Sequence, residues 1–387
     1  MGALGQAPPH PFPSWLAVNV NDSMRIVHVA ETIKGGIATY LRNVLPLQSA
    51  RYGRENIRVL VPASQEGELA GAGVAVHSFS QHRSRPVTAL AAAWKLRAQL
   101  TAFRPAIVHI HSSFAGLTCR PVLHWAPHHP RVVYCPHGWA FTRVGGAARI
   151  AEWIEQRLSR LCDAIVCVSD AERSAALAAG LSSAHLRMIL NGLPDYDRSP
   201  IAGPSAGAPL RLLFAGRFDR AKGFDVLVAA LKRLQRPVQV DAFGESVLGE
   251  NAVSEIPGSI RLRGWQPFSA MAPFLQRCDA VVMPSRWEGL PMSAIEAMRA
   301  GKAVIASRVG GLRELVEEGV TGLLVPPDDP VVLAETLERI QRHQLIAMGA
   351  MGRKRFLEKF RVETCEAQLA ALYEELLTRK NFGTEPR

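Results

Sequence analysis

Short apolar runs and longer segments of helical period take turns along this chain. Strand candidates fall at 25–30, 57–62, 107–111, 131–135 and 164–169, and again at 210–215, 239–243, 260–263, 280–284 and 303–307, most of them continuous Val, Ile, Leu and Ala runs. Unbroken rather than alternating runs are what parallel strands covered on both faces require. Between them, 37–48, 87–103, 148–161, 171–179, 223–234, 268–277 and 292–300 carry a helical period. Strand and helix in repetition predict an α/β fold, with open parallel sheets flanked by helices. The repetition occurs twice. It is broken at 194–209, where four prolines and the loss of any period read as a linker. The expected layout is a loose tail over 1–23, a doubly wound domain over 24–200 and a second over 201–360. A helical tail, from about 352 to 378, would end in a segment over 361–387 that packs back on the first domain. Two such domains facing across a cleft would bind ligand at their strand C-terminal edges.

Composition supports two ordinary cores: 48% of the 387 residues are hydrophobic and 20% are charged. The cysteines at 119, 135, 162, 167, 278 and 365 form no Cys-x-x-Cys pair and no compact zinc set, so reduced cytoplasmic thiols and no metal are expected. Residues 1–150 hold fifteen Lys and Arg against five Asp and Glu, a surplus of ten, while the rest of the chain is nearly balanced. A basic first half points to an anionic partner, whether a membrane surface, a phosphorylated acceptor or nucleic acid, or else forms a solvated basic face. The basic residues are not interleaved with aromatics, which excludes a nucleic-acid groove. No apolar stretch is long enough for a transmembrane helix. The first 23 residues lack Lys and Arg and the pattern of a signal peptide, and Met24 stands directly before a strand, as a natural start would.

The densest chemistry follows the run at 280–284. A loop carries Glu288 and Gly289, Pro291 suits a first helical turn, and Glu296 lies inside the helix. A helix N-terminus offers free N–H groups and a positive dipole end, a seat for a diphosphate. Carboxylates on either side of that seat suit sugar and ribose hydroxyls; equally, acids near a helix start are favoured by the dipole. Arg217 follows another strand and Lys222-Gly223 opens the next helix, two cations that suit a pyrophosphate or a solvated surface. Gly35 and Gly36 leave room for a phosphate beside the backbone, or form a plain turn. They do not make the Gly-x-Gly-x-x-Gly dinucleotide pattern. His137 lies in a loop after the strand at 131–135, and Arg263 follows that at 260–263.

Glu288-x7-Glu296, preceded by Pro284 and Ser285 and followed by Ala297-Met298, Gly310-Gly311 and the run Gly322 to Asp328, resembles the signature of the large retaining GT-B glycosyltransferase family, group 1 or family 4 type. The resemblance covers about 24–378. It implies a GT-B fold and transfer of a hexosyl group, with retention, from a nucleotide diphosphate sugar to an acceptor hydroxyl. By the same resemblance, Arg217 and Lys222 face the diphosphate, Gly35 and Gly36 approach the donor phosphate, and His137 positions the sugar and acceptor hydroxyl. Glu288 holds donor-sugar hydroxyls, Glu296 the ribose, and Arg263 lies near the base. Many relatives carry Glu-Gly-Phe-Gly where this chain has Glu288-Gly289-Leu290-Pro291. Proline lacks an N–H, so within the donor-binding stretch Gly289, Leu290, Met292 and Ser293, the last three would supply the donors. No Asp-x-Asp stands in a suitable loop, so a metal-independent reaction without cofactor is expected. The segment 241–245 replaces the commoner Gly-x-Gly, which leaves uridine and guanosine donors open. The helix at 87–103, with Trp94, Lys95 and Arg97 and with Arg104 just after it, suits an anionic membrane surface. Together with the charge this implies a lipid-linked acceptor in exopolysaccharide, O-antigen or lipopolysaccharide assembly, with the protein peripheral on the inner face of the plasma membrane. The alternatives are a nucleotide-sugar epimerase and an inactive nucleotide-sugar-binding subunit of the same fold.

Overall fold

The computed structural model describes residues 24–378 apart from 83, 143–146, 197–207, 246–254 and 267. The expected tail at 1–23 and most of the linker lie outside the described residues. The first half runs β1 (Ile26–Ala30), α1 (Gly36–Tyr52), β2 (Ile57–Pro62), β3 (Ala75–Phe79), α2 (Arg85–Ala102), β4 (Ile107–His111), α3 (Ser113–His124), β5 (Arg131–Cys135), α4 (Ala148–Leu158), β6 (Ala164–Cys167), α5 (Asp170–Ala178) and β7 (Leu186–Met188). The second runs β8 (Leu210–Ala215), α6 (Phe224–Leu231), β9 (Val238–Phe243), β10 (Ile260–Gly264), α7 (Phe268–Arg277), β11 (Ala280–Met283), α8 (Met292–Arg299), β12 (Ala303–Ser307), α9 (Leu312–Leu315), β13 (Gly322–Val325), α10 (Pro330–Arg339), α11 (Arg342–Lys359) and α12 (Val362–Thr378). The sheets have the orders β3-β2-β1-β4-β5-β6-β7 and β10-β9-β8-β11-β12-β13, and every pairing is parallel. Both orders reverse direction beside their first strand, β1 against β4 and β8 against β11. Doubly wound sheets bind ligands at such switch points.

The alternation of β1 shows why the strands read as continuous apolar runs. Ile26 and Ala30 enter one core layer while Val27 and Val29 enter the other, so helices cover both faces. The layer beneath α1 continues through α8 and α12, joining the two sheets. Strand β3 was not expected, because an edge strand partly open to solvent tolerates the polar Ala75-Val76-His77-Ser78-Phe79. Helix α3 hides in the sequence behind Gly116 and Pro121. The glycine is needed there, since a Cβ would stand 2.6 Å from the Tyr134 ring.

The single helical tail expected from about 352 to 378 is corrected: it is two helices, α11 and α12, broken at Phe360-Arg361. At the break the chain recrosses between the sheets beside the first crossing. Leu193 donates to the Phe360 carbonyl (2.9 Å) and Val362 to the Leu193 carbonyl (3.1 Å). A Cβ on Gly192 would lie 2.5 Å from the Arg361 carbonyl oxygen, so the paired crossings need that glycine. Beyond them α12 lies on the first sheet's layer. Glu366 accepts from Arg51 at 2.8 Å, and the Tyr373 hydroxyl is 2.7 Å from His109 Nδ1.

Candidate active site

The C-terminal ends of strands from both sheets meet at a cavity of about 320 Å³ whose walls include His137, Glu172, Arg217, Lys222, Glu288 and Gly289. A wider depression of about 900 Å³ lies elsewhere, lined by His124, Arg157, Arg160 and His185 among others; it has no carboxylate and none of the expected site residues. Of the two, only the smaller space is lined by residues expected in the site, His137, Arg217, Lys222, Glu288 and Gly289.

The core of the site is an ion pair. Lys222 Nζ donates to both oxygens of Glu288, at 2.6 and 2.8 Å, and Ser285 Oγ donates to Glu288 Oε1 at 2.8 Å. Asp219 organises the turn that carries the cations. It accepts the Lys222 N–H at 2.9 Å through one oxygen and Arg217 Nε at 2.8 Å through the other. Arg217 remains half exposed, while the Glu288 side chain is buried. The acid-bearing loop is held from below by backbone. A Cβ at Gly310 would fall 1.9 Å from the Glu288 carbonyl oxygen, and one at Gly311 the same distance from that of Gly289. Only glycines permit this approach, and Gly311 N–H uses it to donate to Gly289 at 2.8 Å.

Glu296 lies one turn into α8, buried and outside the cavity wall. Burial pushes its carboxyl up to about 7, with Arg299 and Arg42 opposing the shift. Because the folded value lies above the ordinary 4.5, this group's contribution to stability is complete below pH 4.5 and is lost as pH rises toward 7. Glu296→Gln is expected to remove that loss. Its stability relative to wild type should grow across this interval by a value on the order of 3 kcal/mol. Urea midpoints measured at several pH values check this, and parallel curves for the two proteins would sink it.

Gly36 opens α1, and a Cβ there would lie 3.8 Å from Met292 Cγ, so the Gly35–Gly36 turn faces the start of α8 across the cleft. Lys34 beside it sits over the Trp265 ring at 5.4 Å. His137 follows β5 with a left-handed backbone (φ +50), and its ring lies edge-on to Tyr40 and stacked on His111. Burial lowers it to about 4, so it is neutral at pH 7. Leu290 and Met292 turn buried side chains into the core, and Ser293 Oγ faces Met283 Sδ at 4.0 Å. Any contact from Leu290 or Met292 to a donor would be through backbone. Arg263 is not brought to the cavity. Its guanidinium pairs with Asp241 at 2.7 Å and lies over Phe274.

Two acids in the cleft are absent from the sequence reading. Glu172 follows Ser169 by three residues, the spacing of a helix capping box, and Ser169 Oγ does accept its N–H at 3.1 Å. Its carboxylate does more. Oε2 accepts from the Val168 N–H at 3.1 Å, while Oε1 stands 2.8 Å from where a Gly289 Cβ would be. Glu314 of α9 crosses the cleft, and its two oxygens accept the N–H groups of Asp170 and Ala171 at 2.7 Å each. A carboxylate on the N-terminus of α5 is favoured by the helix dipole. Here it ties one half of the molecule to the other.

Residues 35–192 match the family model "Glycosyl transferase 4-like domain", and residues 209–343 match "Glycosyl transferases group 1". Among curated proteins, the uncharacterized 41.2 kDa protein in the cps region of Klebsiella pneumoniae is 26% identical over 333 residues, covering 81% of this chain and 89% of that one. Anabaena HepE, solved in complex with UDP-glucose, superposes with a TM-score of 0.77 at 20% identity, over 91% of this chain and 100% of that chain. The lipopolysaccharide outer core galactosyltransferase WaaB, in its apo form, gives 0.68 at 19% identity over 91% and 100%. At these identities the structural likeness is one of fold, the GT-B arrangement of two facing Rossmann-like domains.

Proposed function

The chain belongs to the group 1 glycosyltransferases, and from that premise we propose that it transfers a hexosyl group, with retention, from a nucleotide diphosphate sugar to an acceptor hydroxyl. The observation that carries the reading is the Lys222–Glu288 pair at 2.6 Å in a cavity shared with His137 and Arg217. A diphosphate entering that space finds two cations, and a sugar finds a buried carboxylate with acceptor capacity for its hydroxyls. On this reading Lys222 and Arg217 neutralise charge building on the leaving nucleotide, so that the reaction proceeds without a metal cofactor. Glu288 holds the sugar, Glu296 the ribose, and the Gly35–Gly36 turn and the α8 N-terminus enclose the phosphates. Arg263, paired to Asp241, is withdrawn from that set.

The acceptor we propose is a lipid-linked glycan in exopolysaccharide, O-antigen or lipopolysaccharide assembly. The cps-region relative and the lipopolysaccharide galactosyltransferase fold support this. On α2 the buried stripe is opposed by Val87, Leu90, Trp94 and Arg97, all exposed at helical spacing, and Trp94 is 75% exposed. An apolar stripe bearing a cation suits an anionic bilayer surface. No helix among the described residues is long and apolar enough to cross a membrane, and a peripheral position on the inner leaflet is the arrangement proposed.

The test begins with thermal shift against uridine and guanosine diphosphate sugars, where a ligand of the native state raises the melting point. UDP-glucose is the first donor, after the neighbour solved with it. The donor found is then incubated with lipid-linked acceptors in anionic vesicles, and the anomeric configuration of the product is read by NMR. An inverted product would overturn retention, and isomerised donor in the absence of acceptor would identify an epimerase. Stabilisation by a donor with no turnover on any acceptor would favour a binding subunit.

A further inference from the structure

A file of histidines runs from the interior of the first sheet to the cleft. Gln48 Oε1 of α1 is 2.8 Å from His28 Nε2 on β1, His28 Nδ1 is 3.0 Å from His111 Nε2 on β4, and His111 Nδ1 is 3.0 Å from His137 Nε2. The rings of His28 and His111 are stacked, as are those of His111 and His137. His28, His109 and His111 hold nitrogens within 4.8 Å of one another, as metal ligands could. Both ring nitrogens of His28 and of His111 are already committed to this file, so it acts as a chain of donors and acceptors.

We propose that His28 and His111 are positioning residues that fix the tautomer of His137, placing its proton on Nε2 and leaving Nδ1 as a hydrogen-bond acceptor. A neutral imidazole has one N–H and one lone pair, so a file of neutral rings can be filled in only two directions. Gln48 selects between them. Its amide oxygen, an acceptor only, faces His28 Nε2 at 2.8 Å. His28 therefore carries its proton on Nε2 and accepts at Nδ1, and His111 repeats the pattern. His137 must then donate through Nε2. Burial keeps His28 and His111 uncharged, which preserves the alternation.

The consequence deepens the proposed function and rests on its reading of His137 as facing the reacting sugar and the acceptor hydroxyl. The nitrogen that remains to a ligand can accept from a hydroxyl and cannot donate to an oxyanion. His137 is thereby suited to orienting an acceptor or sugar hydroxyl, while donation to phosphate is left to Lys222 and Arg217.

Wild-type protein labelled with nitrogen-15 histidine carries the main test, through long-range proton–nitrogen correlation near neutral pH without ligand. The His137 signals, assigned by their loss in His137→Gln, are expected to show a protonated Nε2 and a bare Nδ1. A protonated Nδ1, or two averaged nitrogens, would overturn the proposal. In His111→Phe the two His137 nitrogens should average, with kcat lower by about tenfold, as when an orienting partner is removed, and donor KM within about twofold. An unchanged His137 spectrum in that variant would also overturn it. Should His111→Phe fail to fold, Gln48→Met perturbs the far end of the file and is expected to mix the His137 tautomers without touching the cleft. A fixed Nε2–H tautomer in a protein that turns over no sugar donor would sink the proposed function and leave this inference standing.

Discussion

Replacing Lys222 with alanine is expected to lower kcat/KM for the nucleotide-sugar donor by about 10²- to 10³-fold, the range seen when one preorganised charge-stabilising donor is removed. Lys222 Nζ has both Glu288 oxygens within 2.8 Å. In the proposed reaction it faces the phosphate oxygens on which charge builds. Its loss also leaves the buried Glu288 carboxylate without its cationic partner, held by the Ser285 hydroxyl, and an unpaired buried charge is strongly unfavourable. The variant should therefore combine a fall in kcat with weakened donor binding. Lys222→Arg separates the two effects. It restores the charge but replaces a point charge by a planar fork in a site shaped for the former, so binding should recover more than kcat. Steady-state kinetics and nucleotide titration on the three proteins check this. Activity of Lys222→Ala within a few-fold of wild type would remove Lys222 from the chemistry.

The ion pair also shows where sequence reasoning ends. Lys222 and Glu288 each stand out by their place after a strand, 66 residues apart. Nothing in either motif says that they bind each other when no donor is present. Glu172 and Glu314 escaped for a different reason: a carboxylate near a helix start already has a sufficient local explanation in capping and dipole. Only the three-dimensional path shows Glu314 capping a helix of the opposite half and Glu172 aimed at Gly289. His28 and His111 lie within strand runs whose apolar neighbours dominate the pattern. Arg263 likewise stands out as a cation after a strand, and its pairing with Asp241 shows only in three dimensions.

The fold was more legible because its central strands are buried on both faces and must be continuously apolar. The strands that escaped, β3, β7 and β13, stand at sheet edges, with one side free of the pairing that dictates composition. Helix α10 escaped although its start is written plainly. Asp329 accepts from the N–H groups of Val331 and Val332 at 3.0 Å each, and Pro330 takes the first helical position.

The second large effect is expected from a single methyl group. Gly223 precedes α6 in the left-handed region, at φ +66, and a Cβ there would stand 1.9 Å from the Pro284 carbonyl oxygen and 2.8 Å from its carbon. This is the contact through which the Lys222 turn rests against the strand end that leads to Glu288. The neighbour is backbone, which cannot rotate away, so Gly223→Ala must separate the two loops. Left-handed strain alone costs an alanine about 1–2 kcal/mol. With the forced shift the total should reach about 3 kcal/mol or more, in the class of large single-site effects. Gly319 supplies the control. It has a similar φ of +72 but nothing within 4 Å of its would-be Cβ, so Gly319→Ala bears the strain without the clash. Urea unfolding should place Gly223→Ala well below Gly319→Ala, and donor titration should show binding lost in the first and kept in the second. Equal midpoints and equal donor affinities would mean that the 284–288 loop can move aside, and that Lys222 does not depend on this contact for its place beside Glu288.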